Sequence, residues 1–188
     1  MTKCIFLLCL TGLLSGCMNA AVTGAQAVYS RHNLQETLND QYITLKAERS
    51  IYVETGRYEK THVSVSSFNG VVLISGQVQT EAQRTEIKKI VEKIPGVREI
   101  HDVVKICPPS SPLTRVSDAW ITTKIKSQLI AMNDIDPDQF KVITENGMVY
   151  LMGIVPRDQA DIAVDLAKST AGVQGVVKVF YYIHLSKA

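Results

Sequence analysis

Two stretches of the chain carry the same pattern of apolar, polar and turn-forming positions. The first is Asn69-Gly70-Val71-Val72-Leu73-Ile74-Ser75-Gly76-Gln77-Val78, and the second is Asn146-Gly147-Met148-Val149-Tyr150-Leu151-Met152-Gly153-Ile154-Val155. They lie 77 residues apart (146 − 69) and share N-G-x-V-x-[IL]-x-G-x-V. An Asn-Gly pair suits a type I′ turn, which needs positive φ at both central positions. The run after it has the period of two expected of a strand. The second Gly of each copy falls on the Val face, where a glycine marks a bulge or a close backbone approach.

The flanks repeat as well. Ile43, Ala47 and Ile51 recur at i, i+4 and i+8, one face of a helix. Strands are predicted over 62–67 and 71–78. Thr80 can cap a helix running to about Ile94, with Glu81 in its first turn, and Pro95-Gly96 ends it. A last strand covers 97–106. Downstream, Asp118-Ala119-Trp120-Ile121-Thr122-Thr123-Lys124-Ile125 mirrors the segment from Asp40 to Ala47, offset by 78. Strands follow over 139–144 and 148–155, then a helix over 157–169, a break at Ala171-Gly172-Val173 and a strand over 176–183. Each unit reads α-β-β-α-β. The expected fold class is α+β, with each small three-stranded mixed sheet covered on one face by two helices. At ~65 residues, either unit alone would be marginally stable.

The repeats set the domain plan: a first domain over 40–106, a linker over 107–117 and a second domain over 118–188. Pro108, Pro109, Pro112, Ser110 and Ser111 predict a stiff, non-helical linker. Residues 1–16 read as a signal segment, with Lys3 as the positive region and an apolar run from Cys4 to Leu14 too short to span a bilayer. Residues 17–39 read as a tether reaching at most roughly 75 Å, with a helical turn over 34–38 leading into the first domain. Once Cys4 and Cys9 leave with the signal and Cys17 is set aside, Cys107 has no internal disulfide partner. It is expected as a partly buried residue at a strand end, with an intermolecular bond as the alternative.

A formal charge of +2 and the lack of a Lys/Arg run argue against nucleic acid as a partner. His32, His62, His101 and His184 are scattered without metal-ligand spacing. No G-x-S-x-G, C-x-x-C or phosphate loop occurs. An enzyme, a cofactor and a metal site are therefore not expected.

The repeated hairpin, the Gly96 and Gly172 breaks and the closing strands resemble the BON domain (bacterial OsmY and nodulation). Leu14-Ser15-Gly16-Cys17 resembles a bacterial lipobox, in which Cys17 would carry acyl chains such as palmitate. More than one acyl chain anchors a protein stably, since each buried CH₂ is worth ~0.8 kcal/mol. Two BON units behind a lipobox are similar to the dual-BON outer-membrane lipoproteins of the DolP/YraP family. Met18, in place of Asp after the Cys, favours the outer membrane on that resemblance. The family implies a lipid-anchored protein on the periplasmic face that supports envelope integrity. It also implies binding of anionic phospholipid through the first helix of the second BON domain.

The residues of that helix bear on the implied site. On a wheel of roughly 100° per residue, Ile121, Ile125 and Leu129 make a core stripe. Trp120 falls outside it beside Lys124, with Thr123, Ser127 and Ile130 near and Lys126 on the flank. An interfacial Trp beside a Lys suits a membrane surface; packing of Trp120 under the linker or against the first domain is the alternative. A second candidate is the outer sheet face of domain two, Met148, Tyr150, Met152 and Ile154. It is too apolar to stay bare, whereas Val71, Leu73, Ser75 and Gln77 form a more polar counterpart. That face is expected to pack on domain one or on a protein partner. The alternative function is accordingly an adaptor for outer-membrane assembly or division machinery.

Overall fold

The computed structural model describes residues 24–54, 60–133 and 135–183, with side chains described from Leu34 onward. The lipobox, including Cys17, lies outside the described residues. Gln35–Ala188 forms one compact unit that contains both repeats.

Helix α1, Gly24–Glu48, passes into a wider π turn over Arg49–Glu54. Helix thus covers residues 24–39 of the segment expected as a tether. Ile43, Ala47 and Ile51 are buried, as their spacing demands. Strand β1, His62–Phe68, pairs antiparallel with β2, Val71–Val78. Asn69 and Gly70 have φ of 50° and 73°, the left-handed pair that a type I′ turn requires. Helix α2, Glu81–Glu92, opens with a reciprocal capping box between Thr80 and Gln83.

The single strand expected over 97–106 is two pieces, β3, Glu99–Asp102, and β4, Lys105–Ile106, laid in succession along one edge of β2 and parallel to it. The interruption has a local cause. The Asp102 carboxylate accepts the Val104 N–H at 3.0 Å, an Asx-type turn that competes with the ladder.

The second repeat has helix α3, Pro112–Ile130, a 3₁₀ turn at Pro137–Gln139, then β5, Phe140–Glu145, and β6, Met148–Val155. Helix α4, Arg157–Ser169, and β7, Gly175–Tyr182, complete it. Strand orders are β1-β2-β3/β4 and β5-β6-β7, antiparallel then parallel in each. The segment 112–117 is helical, contrary to the linker reading. Ser111 is the N-cap and accepts the Thr114 N–H at 3.1 Å, while Pro112 sits at the first helical position, where no N–H is needed.

Gly76 and Gly153 allow close strand approach. A Cβ at Gly76 would stand 2.0 Å from the His62 carbonyl oxygen, and one at Gly153 2.6 Å from that of Gln139. Asp40 and Asp118 bind the two hairpins to their helices. Asp40 accepts from the Asn69 and Gly70 N–H groups at 2.6 and 2.9 Å, and also from the Ser67 hydroxyl. Asp118 accepts from Asn146 and Gly147, both at 2.8 Å. Each repeat also ties its second helix to its last strand by an ion pair. Arg84 meets Asp102 at 2.9 Å, and Lys178 meets Asp161 at 3.6 Å. Asp102 and Lys178 hold matching register positions, opposite Ile74 and Leu151.

Each sheet buries one face against its own helices, around Val72, Ile74 and Ile87 in one repeat and Leu151, Ile125 and Val164 in the other. The outer faces meet each other. Tyr150, Met152 and Val179 pack with Val71 and Leu73, flanked by Phe68, Ile143 and Met148. The result is four layers, helix–sheet–sheet–helix. Polar contacts rim the seam. Gln77 donates to Glu145 at 2.7 Å, Lys141 donates to the Ser67 carbonyl at 2.8 Å, and the Tyr181 hydroxyl bonds Glu99. All three apolar clusters lie inside Gln35–Ala188, so this unit contains the cores it needs to fold by itself.

Candidate functional site: the exposed face of helix α3

Helix α3 buries Ile121, Ile125 and Leu129 and turns its opposite side outward. Trp120 is 54% exposed, Ile130 69%, Leu113 79% and Val116 66%. Leu113 and Val116 join this face because the helix begins at Pro112. Sequence reasoning missed both by reading the prolines as a break. The Ser111-Pro112 pair was the available signal, since it supplies an N-cap and a proline at the first helical position.

The Lys124 ammonium lies 4.9 Å from the centroid of the Trp120 ring. At an exposed site such a cation–π contact is worth ~0.5–1 kcal/mol. It holds a flat amphipathic ring and a positive charge side by side. Ser127 and Ile130 continue the same face. Thr123 donates its hydroxyl to the Ala119 carbonyl at 2.8 Å, which spends that proton within the helix. Thr123 and Lys126 line a cleft toward domain one, so they belong to the flank of the exposed face.

The second candidate surface is occupied. Tyr150 and Met152 are buried between the sheets and Met148 is partly buried with them, while Ile154, near the end of β6, lies outside that cluster. Burial raises the Tyr150 phenol pKa above its ordinary value, and the Glu145 charge adds to the rise. Cys107 is half-buried just after β4 and donates its N–H to the Val78 carbonyl at 3.0 Å. Among the described residues, no group of three or more His, Cys, Asp or Glu side chains is placed to hold a metal ion. Also among them, no helix is long and apolar enough to cross a membrane.

The geometry is thus a duplicated α-β-β-α-β unit with a conspicuous apolar helix face on the second copy. The BON domain model matches residues 39–108 and 117–182. The chain belongs to the BON family. It is 31% identical to outer membrane lipoprotein DolP of Haemophilus influenzae, across 96% of this chain and 96% of that one. It is 32% identical to a 21 kDa hemolysin of Actinobacillus pleuropneumoniae, covering 78% and 75% of the two chains. Osmotically-inducible protein Y of Escherichia coli is 29% identical over 81% of this chain and 77% of its own. The protein is a tandem-BON envelope lipoprotein of the outer-membrane, DolP-like kind.

Proposed function

We propose that this BON protein docks the exposed face of α3 on an anionic phospholipid surface and thereby supports envelope integrity. The observation that carries this reading is the pairing of exposed Trp120 with Lys124, extended along one helix face by Leu113, Val116 and Ile130. Apolar side chains enter the acyl boundary, the indole settles at headgroup depth, and the cations meet anionic phosphate. Each Lys near such a surface adds ~1 kcal/mol. Binding by the unit alone is therefore weak, and a lipid anchor at Cys17 would make it effective by raising local concentration. The adaptor reading loses its sheet face, which domain one covers.

The test is flotation of Gln35–Ala188 with vesicles of phosphatidylglycerol or phosphatidylcholine. Binding to the anionic vesicles alone is expected, weakening as salt rises. Trp120→Ala should abolish it with the circular dichroism spectrum unchanged. Equal binding to both vesicle types, or full binding by Trp120→Ala, would refute the reading.

A further inference from the structure

The duplication builds one kind of cleft twice. In each, the first helix of one repeat faces the edge strand of the other across the interdomain seam. A cleft of about 490 Å³ lies between α3, β5 and β1, and one of about 440 Å³ between α1, β1 and β5. Matching residues hold matching places, with Asp118 and Asp40 at the turn clamps and Thr122 and Thr44 one helical turn further on.

The clefts differ in charge. At an offset of 78, α3 carries Arg115 and Lys126 where α1 carries Thr37 and Glu48. The α1 cleft is lined instead by Leu45, Phe68 and Phe140, and Lys141 lines both clefts. The same architecture therefore forms without those two cations. Among the described residues, Arg115, Lys126 and Lys141 have no carboxylate within ion-pair distance. The two carboxylates of the α3 cleft are already engaged. Asp118 clamps the Asn146-Gly147 turn, and Glu145 accepts from Gln77 and faces His62 at 3.8 Å. Lys141 is partly buried, with the Ser67 carbonyl as its acceptor. Burial lowers its pKa, and the Asp40 charge opposes the shift only in part. Lys126 adds to the lowering, and a partly desolvated ammonium with a like charge nearby gains from an anion placed beside it.

We propose that the α3–β1 cleft holds the phosphodiester of an anionic phospholipid headgroup, bound by Arg115, Lys126 and Lys141, with Ser64 and Ser66 of β1 as hydroxyl donors. This rests on the membrane-docking reading, since the cleft lies on the flank of the same helix. Trp120 and Val116 enter the interface while the headgroup tips into the cleft. Because β1 belongs to domain one, headgroup binding is a property of the docked pair of domains.

The test uses Gln35–Ala188 with two probes, phosphatidylglycerol vesicles and the soluble headgroup glycerophosphoglycerol followed by NMR. Arg115→Gln and Lys141→Gln should each weaken vesicle binding about tenfold, the size of one lost charge-assisted hydrogen bond. Lys178→Gln makes the same charge change away from the cleft and should change binding less than about twofold. Arg115→Gln is the decisive variant should Lys141→Gln loosen the domain contact, which thermal unfolding reports. The cleft assignment is overturned if Arg115→Gln binds vesicles as Lys178→Gln does, even where Trp120→Ala abolishes binding; the docking reading then stands alone. Soluble headgroup bound by the unmutated protein and lost in Arg115→Gln, with no vesicle binding at all, would uphold the cleft and sink the docking reading.

Discussion

Replacing Asp118 with Ala tests how the second repeat is held together. Asp118 is buried and accepts two backbone N–H groups of the hairpin turn, both at 2.8 Å. A hydrogen bond to a charged group contributes ~1.5–3 kcal/mol, so the two together are worth ~3–6 kcal/mol. Gly147 is buried and its N–H would find no new partner, whereas Asn146 is partly exposed and water can replace part of its loss. The net expected loss is ~2–4 kcal/mol, a large share of the ~5–15 kcal/mol that stabilises a typical domain. Urea denaturation of Gln35–Ala188 by circular dichroism measures it, and Trp120, the single tryptophan, reports the second repeat. Asp40→Ala should cost at least as much in the first repeat, because Asp40 also accepts from Ser67. A loss below ~1 kcal/mol for Asp118→Ala would refute the reasoning. The turn would then be held by its own positive-φ residues and not by the carboxylate.

Two further outcomes follow from the interdomain layer. Met152→Ala opens a cavity between the sheets, where Met152 is 1% exposed, and should cost ~2–5 kcal/mol and separate the two repeats into distinct unfolding transitions. A single unchanged transition would contradict this. Tyr150 has its phenol pKa raised on folding, so the native state keeps that proton longer than the unfolded chain. Its contribution is present below the ordinary tyrosine range near ~10 and is lost as pH climbs through the raised value. Tyr150→Phe should therefore flatten the alkaline fall in stability; an unaltered slope in denaturation runs at rising pH would count against it.

The residues that state their own backbone geometry were legible without a structure. Asn69-Gly70 and Asn146-Gly147 demand one turn type, Thr80 caps the helix after it, and alternation along β6 separates the Val149 face from the Tyr150 face. Distances along the chain hid the rest. Asp40 and Asp118 act on turns 29 and 28 residues away (69 − 40 and 146 − 118), and nothing local marks a carboxylate as a clamp. The prolines before α3 have two meanings, and only the Ser111 cap decides that Pro112 starts a helix. That choice concealed Leu113 and Val116, and with them the length of the exposed face. The cationic cleft draws Arg115, Lys141 and Ser66 from three elements of two repeats, so no window of sequence contains it.

Tandem copies of one fold risk assembling with each other's parts as the chain emerges. The helix-to-strand ion pairs guard against this. Arg84 on α2 meets Asp102, but Asp161 on α4 meets Lys178, so polarity is reversed between the copies. Should α2 settle on the sheet of the second repeat, Arg84 would confront Lys178. Should α4 settle on the first, Asp161 would confront Asp102. Each wrong exchange forfeits an attraction and adds a repulsion, while each right one keeps its pair. Charge thus serves here as a label of origin, telling two halves of the same fold apart at the step where a nascent repeat protein is most exposed to scrambling.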